Sequence, residues 1–286
     1  RIMCATVSNV SHTPVVGGID AIIHFPELRR AGWGASDAAP PACRPGVRAG
    51  PSAGGEPRAR ARFANLACRP AHGAGMPKPY SLGELSISES RFGVEVRLLD
   101  DRLLDTLDAW LSWGGVMRIG AGTHEDAILI ATDGQIVTQA SWEELAKRDE
   151  DTAWEVRLVT PTTFSSRGQH VPGLTPATIA TSLQQRWWAW NRRLAPPRID
   201  RDEMASVLAT QDFTRSSMVA LRLPRDAKQG RLSSRRIPAH EGRLRISGIE
   251  GAEATRVFSR LMALSAYTNV GSHTSYGMGV IDAVAA

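Results

Sequence analysis

The chain has 286 residues, room for one large domain or two of ordinary size, and its 42% hydrophobic content is enough for real cores. No apolar run approaches the length of a membrane span and no basic-then-apolar leader pattern opens the sequence, which excludes a helical membrane protein and predicts a soluble one. The net charge of +5 is compatible with nucleic acid and equally with a GC-rich coding bias, because nearly all the cations are arginine and only Lys78, Lys147 and Lys228 are lysine.

Taken in chain order, residues 2–7 and 21–25 read as short strands. From 29 to 62 the chain is mostly Ala, Gly, Pro and Arg with neither helical nor strand period. Such a stretch cannot bury enough apolar surface to offset its ordering entropy, so it reads as a flexible insertion or as a reading-frame artefact of a GC-rich gene. Order resumes near Phe63. Residues 93–99 alternate as a strand with Val94, Val96 and Leu98 on one face, and 100–113 follow as a helix with Leu103, Leu107 and Trp110 along one side. Residues 127–131 and 135–140 bracket Asp133-Gly134, a strong hairpin signal.

A second unit opens near Trp154. Residues 155–160 form a strand ended by Pro161, and 175–193 form a helix with Thr175 as N-cap and Pro176 at its first position. A shorter helix is expected over 200–209. Residues 218–223 and 243–249 alternate as strands joined by a long basic connection. The helix pattern of 252–267 places Val257, Phe258, Leu261 and either Leu264 or Ser265 inward, and a last strand runs over 278–284. The order β-α-β-β-α-β with one extra helix is the ferredoxin-like plan, and the upstream unit fits it less cleanly. The expected fold is α+β with two tandem ferredoxin-like (RRM-like) domains, 1–150 and 151–286, the first with an irregular N-terminal region.

No Walker loop, HExxH or EF-hand appears, and Gly120-Ala-Gly-Thr-His124 lacks a following helix. Cys4, Cys43 and Cys68 are odd in number and lack CxxC spacing, which points away from a disulfide framework or zinc site and toward a reducing cytoplasm. No metal and no cofactor are expected. The tail is more informative. In Asn269-Val-Gly-Ser-His-Thr-Ser-Tyr-Gly-Met-Gly279, three glycines punctuate a polar loop between helix and strand. Such a loop can bring bare backbone N–H groups to a phosphate, the mark of an RNA-backbone binder.

An upstream motif agrees with it. Leu66-Ala-Cys-Arg-Pro-Ala-His72-Gly-Ala-Gly-Met-Pro-Lys78-Pro-Tyr80-Ser81 resembles a motif of the CRISPR repeat-processing endoribonucleases, the sixth Cas family of the RAMP superfamily. Ala71 replaces the family's leucine before the histidine, and Tyr80 its phenylalanine. The tail resembles the family's glycine-rich loop, with Asn269 in place of the first glycine. Leu158 to Phe164 is similar to the strand and turn that open the second domain, Ser182 to Trp188 to the helix that follows, and Ile237 to Gly242 to a turn before a strand. The resemblance spans Leu66 to Val284. It does not reach residues 1–60, where the family's first strand and first helix lie, so a catalytic tyrosine of that helix has no counterpart here.

The resemblance implies metal-independent cleavage of CRISPR repeat RNA to mature crRNA. The 2′-hydroxyl attacks the adjacent phosphorus and the 5′-oxygen leaves, giving a 2′,3′-cyclic phosphate and a 5′-hydroxyl. His72 suits the base or the acid, because imidazole titrates near neutrality, and Lys78 suits stabilisation of the phosphorane. RNA contacts are expected from Gly271, Ser272, His273, Thr274, Gly277 and Gly279, and from Arg192, Arg193, Arg235 and Arg236, whose bland alternative is a solvated basic face. Trp187, Trp188 and Trp190 are expected to pack in the core. The partners implied are pre-crRNA and crRNA and, in an interference complex, other Cas subunits, with no membrane. A homodimer stays open, without coiled-coil heptads to mark it. The rival reading is a RAMP subunit that holds the repeat without cutting it.

Overall fold

The structure is a computed structural model that describes residues 1–10, 77–87, 91–119, 127–166, 168–171, 173–221 and 235–286. The strand expected over 21–25, the 29–62 stretch and the basic connection over 222–234 lie outside these residues, as do His12, His24, His72 and His124.

Two four-stranded antiparallel sheets share one strand order. In the first, β1 (Ile2–Val10), β2 (Tyr80–Ile87), β3 (Arg91–Leu98) and β6 (Asp133–Ala140) are arranged β2-β3-β1-β6. In the second, β7 (Ala153–Thr162), β10 (Leu208–Leu221), β11 (Arg235–Gly248) and β12 (Ile281–Ala285) are arranged β10-β11-β7-β12, while the two-residue strands β8 (Ser165–Ser166) and β9 (Gln169–His170) pair with each other. Each sheet thus places its third strand between its first and second, and its fourth beside its first, which is the split βαβ arrangement of the ferredoxin-like fold. The expected tandem architecture is present. The first strand, which the family resemblance did not reach, is Ile2–Val10 itself, paired on both sides within its sheet.

Alternation builds the first core. Phe92, Val94, Val96 and Leu98 of β3 are buried, as are Met3, Ala5 and Val7 of β1, while Glu95 and Arg97 lie on the opposite face. The helix expected over 100–113 is a 3-10 turn, Asp101–Leu103, running into α1 (Leu104–Ser112), with Leu107 and Trp110 inward. The hairpin expected at Asp133-Gly134 does not form. β5 (Ala127–Ile130) pairs with β4 (Val116–Ile119), and β6 pairs with β1, so Asp133 and Gly134 begin β6 opposite Ser8 and Val7. The glycine has a packing reason instead, since a Cβ there would sit 2.7 Å from Leu111 Cδ1 of α1.

The second core packs α3 (Pro176–Trp190) and α5 (Glu253–Leu264) on the sheet through Ile179, Leu183, Trp187, Val257, Phe258 and Leu261. Thr175 caps α3 as expected, in a reciprocal box with Thr178. Leu264 and Ser265 are both buried, the latter in a 3-10 turn, Ser265–Tyr267, that ends the helix. The short helix is α4 (Arg201–Val207), capped by Asp200. It stops earlier than expected because Leu208 and Ala209 open β10. The final strand is likewise shorter than expected at its start. Pro161 does not end β7, which runs to Thr162, and Ile237–Gly242 is strand within β11 rather than a turn. Beyond the His240–Thr162 pair, β10 and β11 continue alone as a two-stranded arm to the Leu221–Arg235 pair.

The two units share apolar surface. Ile2 of β1 and Trp142 of α2 (Trp142–Ala146) belong to the second core, where Trp142 meets Trp187 with ring centroids 5.5 Å apart. Ile2 has no exposed surface. Ile2→Ala is therefore expected to cost about 2–5 kcal/mol, read as a lowered midpoint in urea denaturation with unchanged slope.

Candidate functional site

The segment between α5 and β12 is a rigid turn. Val270 N donates to Gly279 O at 2.8 Å, closing its base. Ser272 N donates to Thr163 O at 2.8 Å and Gly279 N to Pro161 O at 3.1 Å, so the turn lies along the end of β7. Gly271 N is taken by Ser182 Oγ of α3 at 2.8 Å. Two glycines permit this closeness: a Cβ on Gly271 would stand 2.2 Å from Thr163 O, and one on Gly279 1.9 Å from Val270 O. The N–H groups of Gly271 and Gly279 thus serve protein acceptors. At the crest, a 3-10 turn (Thr274–Tyr276) follows His273, whose φ of 59° makes it the one non-glycine residue in the left-handed region among the described residues.

The first unit grips this turn from β2. Asn269 is fully buried; its backbone N donates to Ser81 Oγ at 3.2 Å, and its Nδ2 donates to Leu82 O at 2.6 Å and Met278 O at 2.9 Å. Just before β2, Lys78 Nζ donates to Ser275 Oγ at 3.0 Å and lies between the rings of Tyr80 and Tyr276, 5.4 and 5.9 Å from their centroids. Trp190 at the end of α3 donates from Nε1 to Pro77 O at 3.2 Å, holding the backbone beside Lys78. The upstream motif and the glycine-rich tail, almost 200 positions apart in sequence, therefore meet at one point.

Two residues of the 182–188 segment face the turn one helical step apart. Ser182 accepts from Gly271, and Arg186 Nη2 donates to Gly271 O at 3.1 Å and to Thr274 Oγ1 at 3.2 Å. Sequence reasoning did not single out Arg186, Ser275 or Tyr276. The arm of β10 and β11 also reaches the turn, since Ile237 and Ala239 are buried against Met278, and the arm carries Arg235 and Arg236. Arg192 and Arg193 sit elsewhere. Arg192 stacks on Trp188, which also carries Arg198, and Arg193 pairs with Glu143 at 3.2 Å on the surface. Of the three tryptophans, Trp187 is fully buried and the other two are half-buried.

A separate cleft of about 1130 Å³ lies between the units, lined by six carboxylates (Glu84, Glu95, Glu144, Asp149, Asp151, Asp282) and four cations (Arg97, Lys147, Arg148, Arg157). That balance does not suit a phosphate track. In its wall the Cys4 thiol donates to Glu95 Oε1 at 2.6 Å, and Arg97 holds the same carboxylate through Nε and Nη2. Burial first, then the carboxylate, pushes the thiol up to about 12. Burial alone would raise Glu95, but Arg97, the thiol and the Glu84 N–H outweigh it and hold the acid below its ordinary value. Its contribution to stability is complete above the ordinary carboxylate range and is lost as pH falls through the depressed value.

Residues 156–281 match the family model of the CRISPR-associated endoribonuclease Cas6. Over these residues, a little under half of its length, the chain is similar to the Cas6 family. The matched stretch holds most of β7, α3, the arm and the whole of the glycine-rich turn. Solved structures extend the likeness in fold to the whole chain. The Cas6 of Thermus thermophilus in a product complex is 19% identical with a TM-score of 0.61, over 99% of this chain and 100% of that one. A second Cas6 product complex is 15% identical with a TM-score of 0.59, over 99% of each chain. A Cas6-related protein from Pyrococcus furiosus is 10% identical with a TM-score of 0.52, again over 99% of each. No curated protein matches the chain in sequence.

Two glycine substitutions separate close approach from backbone conformation. Gly279→Ala forces a Cβ into Val270 O and should disrupt the turn, whereas a Cβ on Gly277 meets nothing nearer than Gly83 O at 4.0 Å and meets only the penalty of its φ of 83°. Gly277→Ala should cost about 1 kcal/mol and Gly279→Ala clearly more, compared by thermal denaturation.

Proposed function

We propose that this protein is a metal-independent endoribonuclease that cleaves CRISPR repeat RNA to mature crRNA. The observation that carries the reading is the contact of Lys78 with Ser275, which joins the two family-like motifs at one turn. The repeat lies with its backbone on the crest of the turn, at the side chains of Ser272, His273 and Thr274, with Gly271, Gly277 and Gly279 shaping that crest, and the arm's Arg235 and Arg236 follow the phosphates of its stem, which A-form RNA offers for reading by shape and backbone. Arg192 and Arg193 are assigned to more distant phosphates of the same RNA.

The 2′-hydroxyl gives its proton to a base and attacks the adjacent phosphorus. The bond from phosphorus to the 5′-oxygen breaks and that oxygen takes a proton. His72, six positions before Lys78, is assigned to one of these two proton transfers. Lys78 places an ammonium at the developing phosphorane, where added negative charge gains most from a fixed cation. Each proton is handed to or from a side chain, and no step needs a metal.

The test is cleavage of the cognate repeat RNA in EDTA. Wild type should yield 2′,3′-cyclic phosphate ends. His72→Ala should bind with unchanged affinity and cut about 10²–10⁴-fold more slowly, and Lys78→Ala about 10²–10³-fold more slowly. Tight binding without cleavage by wild type would make the protein a repeat-holding subunit, and equal cutting by His72→Ala would move the proton transfer to another residue.

A further inference from the structure

Arg186 is only 5% exposed, and it is charged. Its Nη2 makes both hydrogen bonds to the turn, while Nε and Nη1 are buried without an acceptor among the described residues. Burial alone lowers its pKa, to about 10, with no carboxylate among the described residues acting on it, so the guanidinium keeps its proton at neutral pH. A buried cation lacking a counter-charge costs free energy that an apolar side chain of similar length would not. Packing therefore gives no reason for an arginine at this place on α3, whose neighbours Leu183 and Trp187 already fill the core.

The position supplies the reason. Arg186 holds Gly271 and Thr274, the two residues that bracket Ser272 and His273, and the same turn meets Lys78 at Ser275. We propose that Arg186 is a positioning residue whose uncompensated charge, set under the 271–276 turn, is completed by an RNA phosphate seated on that turn. The inference rests on the RNA-processing reading above. It adds that the turn is charged from beneath as well as from the Lys78 side, and that free protein carries a strain which RNA relieves. A charge placed in protein interior is screened by salt far less than a surface arginine, so its effect on affinity persists at high ionic strength.

The experiment uses the whole chain and the repeat RNA carrying a 2′-deoxy sugar at the attacking position, so that binding is read without cleavage. Wild type, Arg186→Met and Arg186→Lys are compared by RNA-binding isotherms at low and high salt and by thermal melting without RNA. Arg186→Met should melt at or above wild type, because a buried charge is gone, yet bind RNA about tenfold more weakly, with the ratio kept at high salt. Arg186→Lys, which keeps the charge and loses the fork, should recover most of the affinity. An Arg186→Met protein that melts lower or fails to fold, or that binds RNA as wild type does, overturns the proposal and leaves Arg186 a structural peg. Wild type that does not bind the repeat RNA at all overturns the functional reading itself, a result distinct from equal binding by wild type and variant.

Discussion

The site depends on where one buried asparagine is held. Asn269 ties the two ends of the glycine-rich turn together through Met278 O and ties both to β2 through Ser81 and Leu82. A buried amide is an exacting anchor, since each bond contributes about 1 kcal/mol when made and the desolvated group costs more when its partner is lost. Lys78 lies only a few residues before Ser81 and Leu82 along the chain, so fixing those two residues fixes where its ammonium meets Ser275. β2 is braced in turn. It bulges between Leu82 and Leu85, and the Glu95 carboxylate enters that bulge, accepts from Glu84 N at 3.1 Å and occupies the space a Cβ on Gly83 would fill. Arg97, which holds this carboxylate, also donates through Nη1 to Ser265 O at the end of α5 at 3.0 Å, so the brace reaches across to the second unit.

Charge is divided accordingly. The wide cleft between the units carries six carboxylates against four cations, three of which are ion-paired within it (Arg97–Glu95, Arg148–Asp151, Arg157–Asp282), so it offers no excess of positive charge. The turn presents the opposite sign, with Lys78 at Ser275 and Arg186 under Gly271 and Thr274. A modest net charge of +5 conceals this separation, because the excess over the whole chain is small while the local contrast is large. The overall basicity therefore says less about where an anion would sit than the few positions where cations meet the turn.

What was legible in the sequence was what depends on local pattern. Strong two-residue alternation gave β3 and the start of β7, the apolar stripe gave α5, and Thr175-Pro176 gave the start of α3. Errors arose where tertiary contact overrides local preference. Asp133-Gly134 has hairpin chemistry, but the glycine is required by Leu111 packing above it, and β6 pairs with the distant β1. The first half of β10 is an edge strand with Thr210, Gln211, Asp212 and Phe213 all exposed, so no alternation marks it and a helix pattern ran on into it. Lys78 and the glycine-rich tail could be found because each carries a spaced motif. Arg186 could not, being one arginine among many until its burial and its hold on the turn are known. The sequence signal for it was position: it lies one helical step from Ser182, inside the family-like 182–188 stretch.

Pro161 shows how the misread details serve the site. A proline inside a strand pattern suggests an end, since it cannot donate to the ladder. Here β7 pairs Leu158 with Gly242 and Thr162 with His240, so the residues between them bulge away from β11. Their polar groups turn the other way: Val159 N and Thr160 N donate to Val280 O, Thr160 Oγ1 accepts from Val280 N, and Pro161 O accepts from Gly279 N. The missing N–H costs nothing on a bulge that no longer pairs with β11, and the carbonyl beside it becomes the support for the turn. Gly279 is needed at that support because its own backbone passes against Val270 O, and Gly271 because the turn returns against Thr163 O, two residues past the proline. A regular sheet edge would hold β12 but would leave the segment before it unfixed. The proline bulge and the two glycines are therefore a single structural device, the one that sets the turn where Lys78 and Arg186 can both reach it.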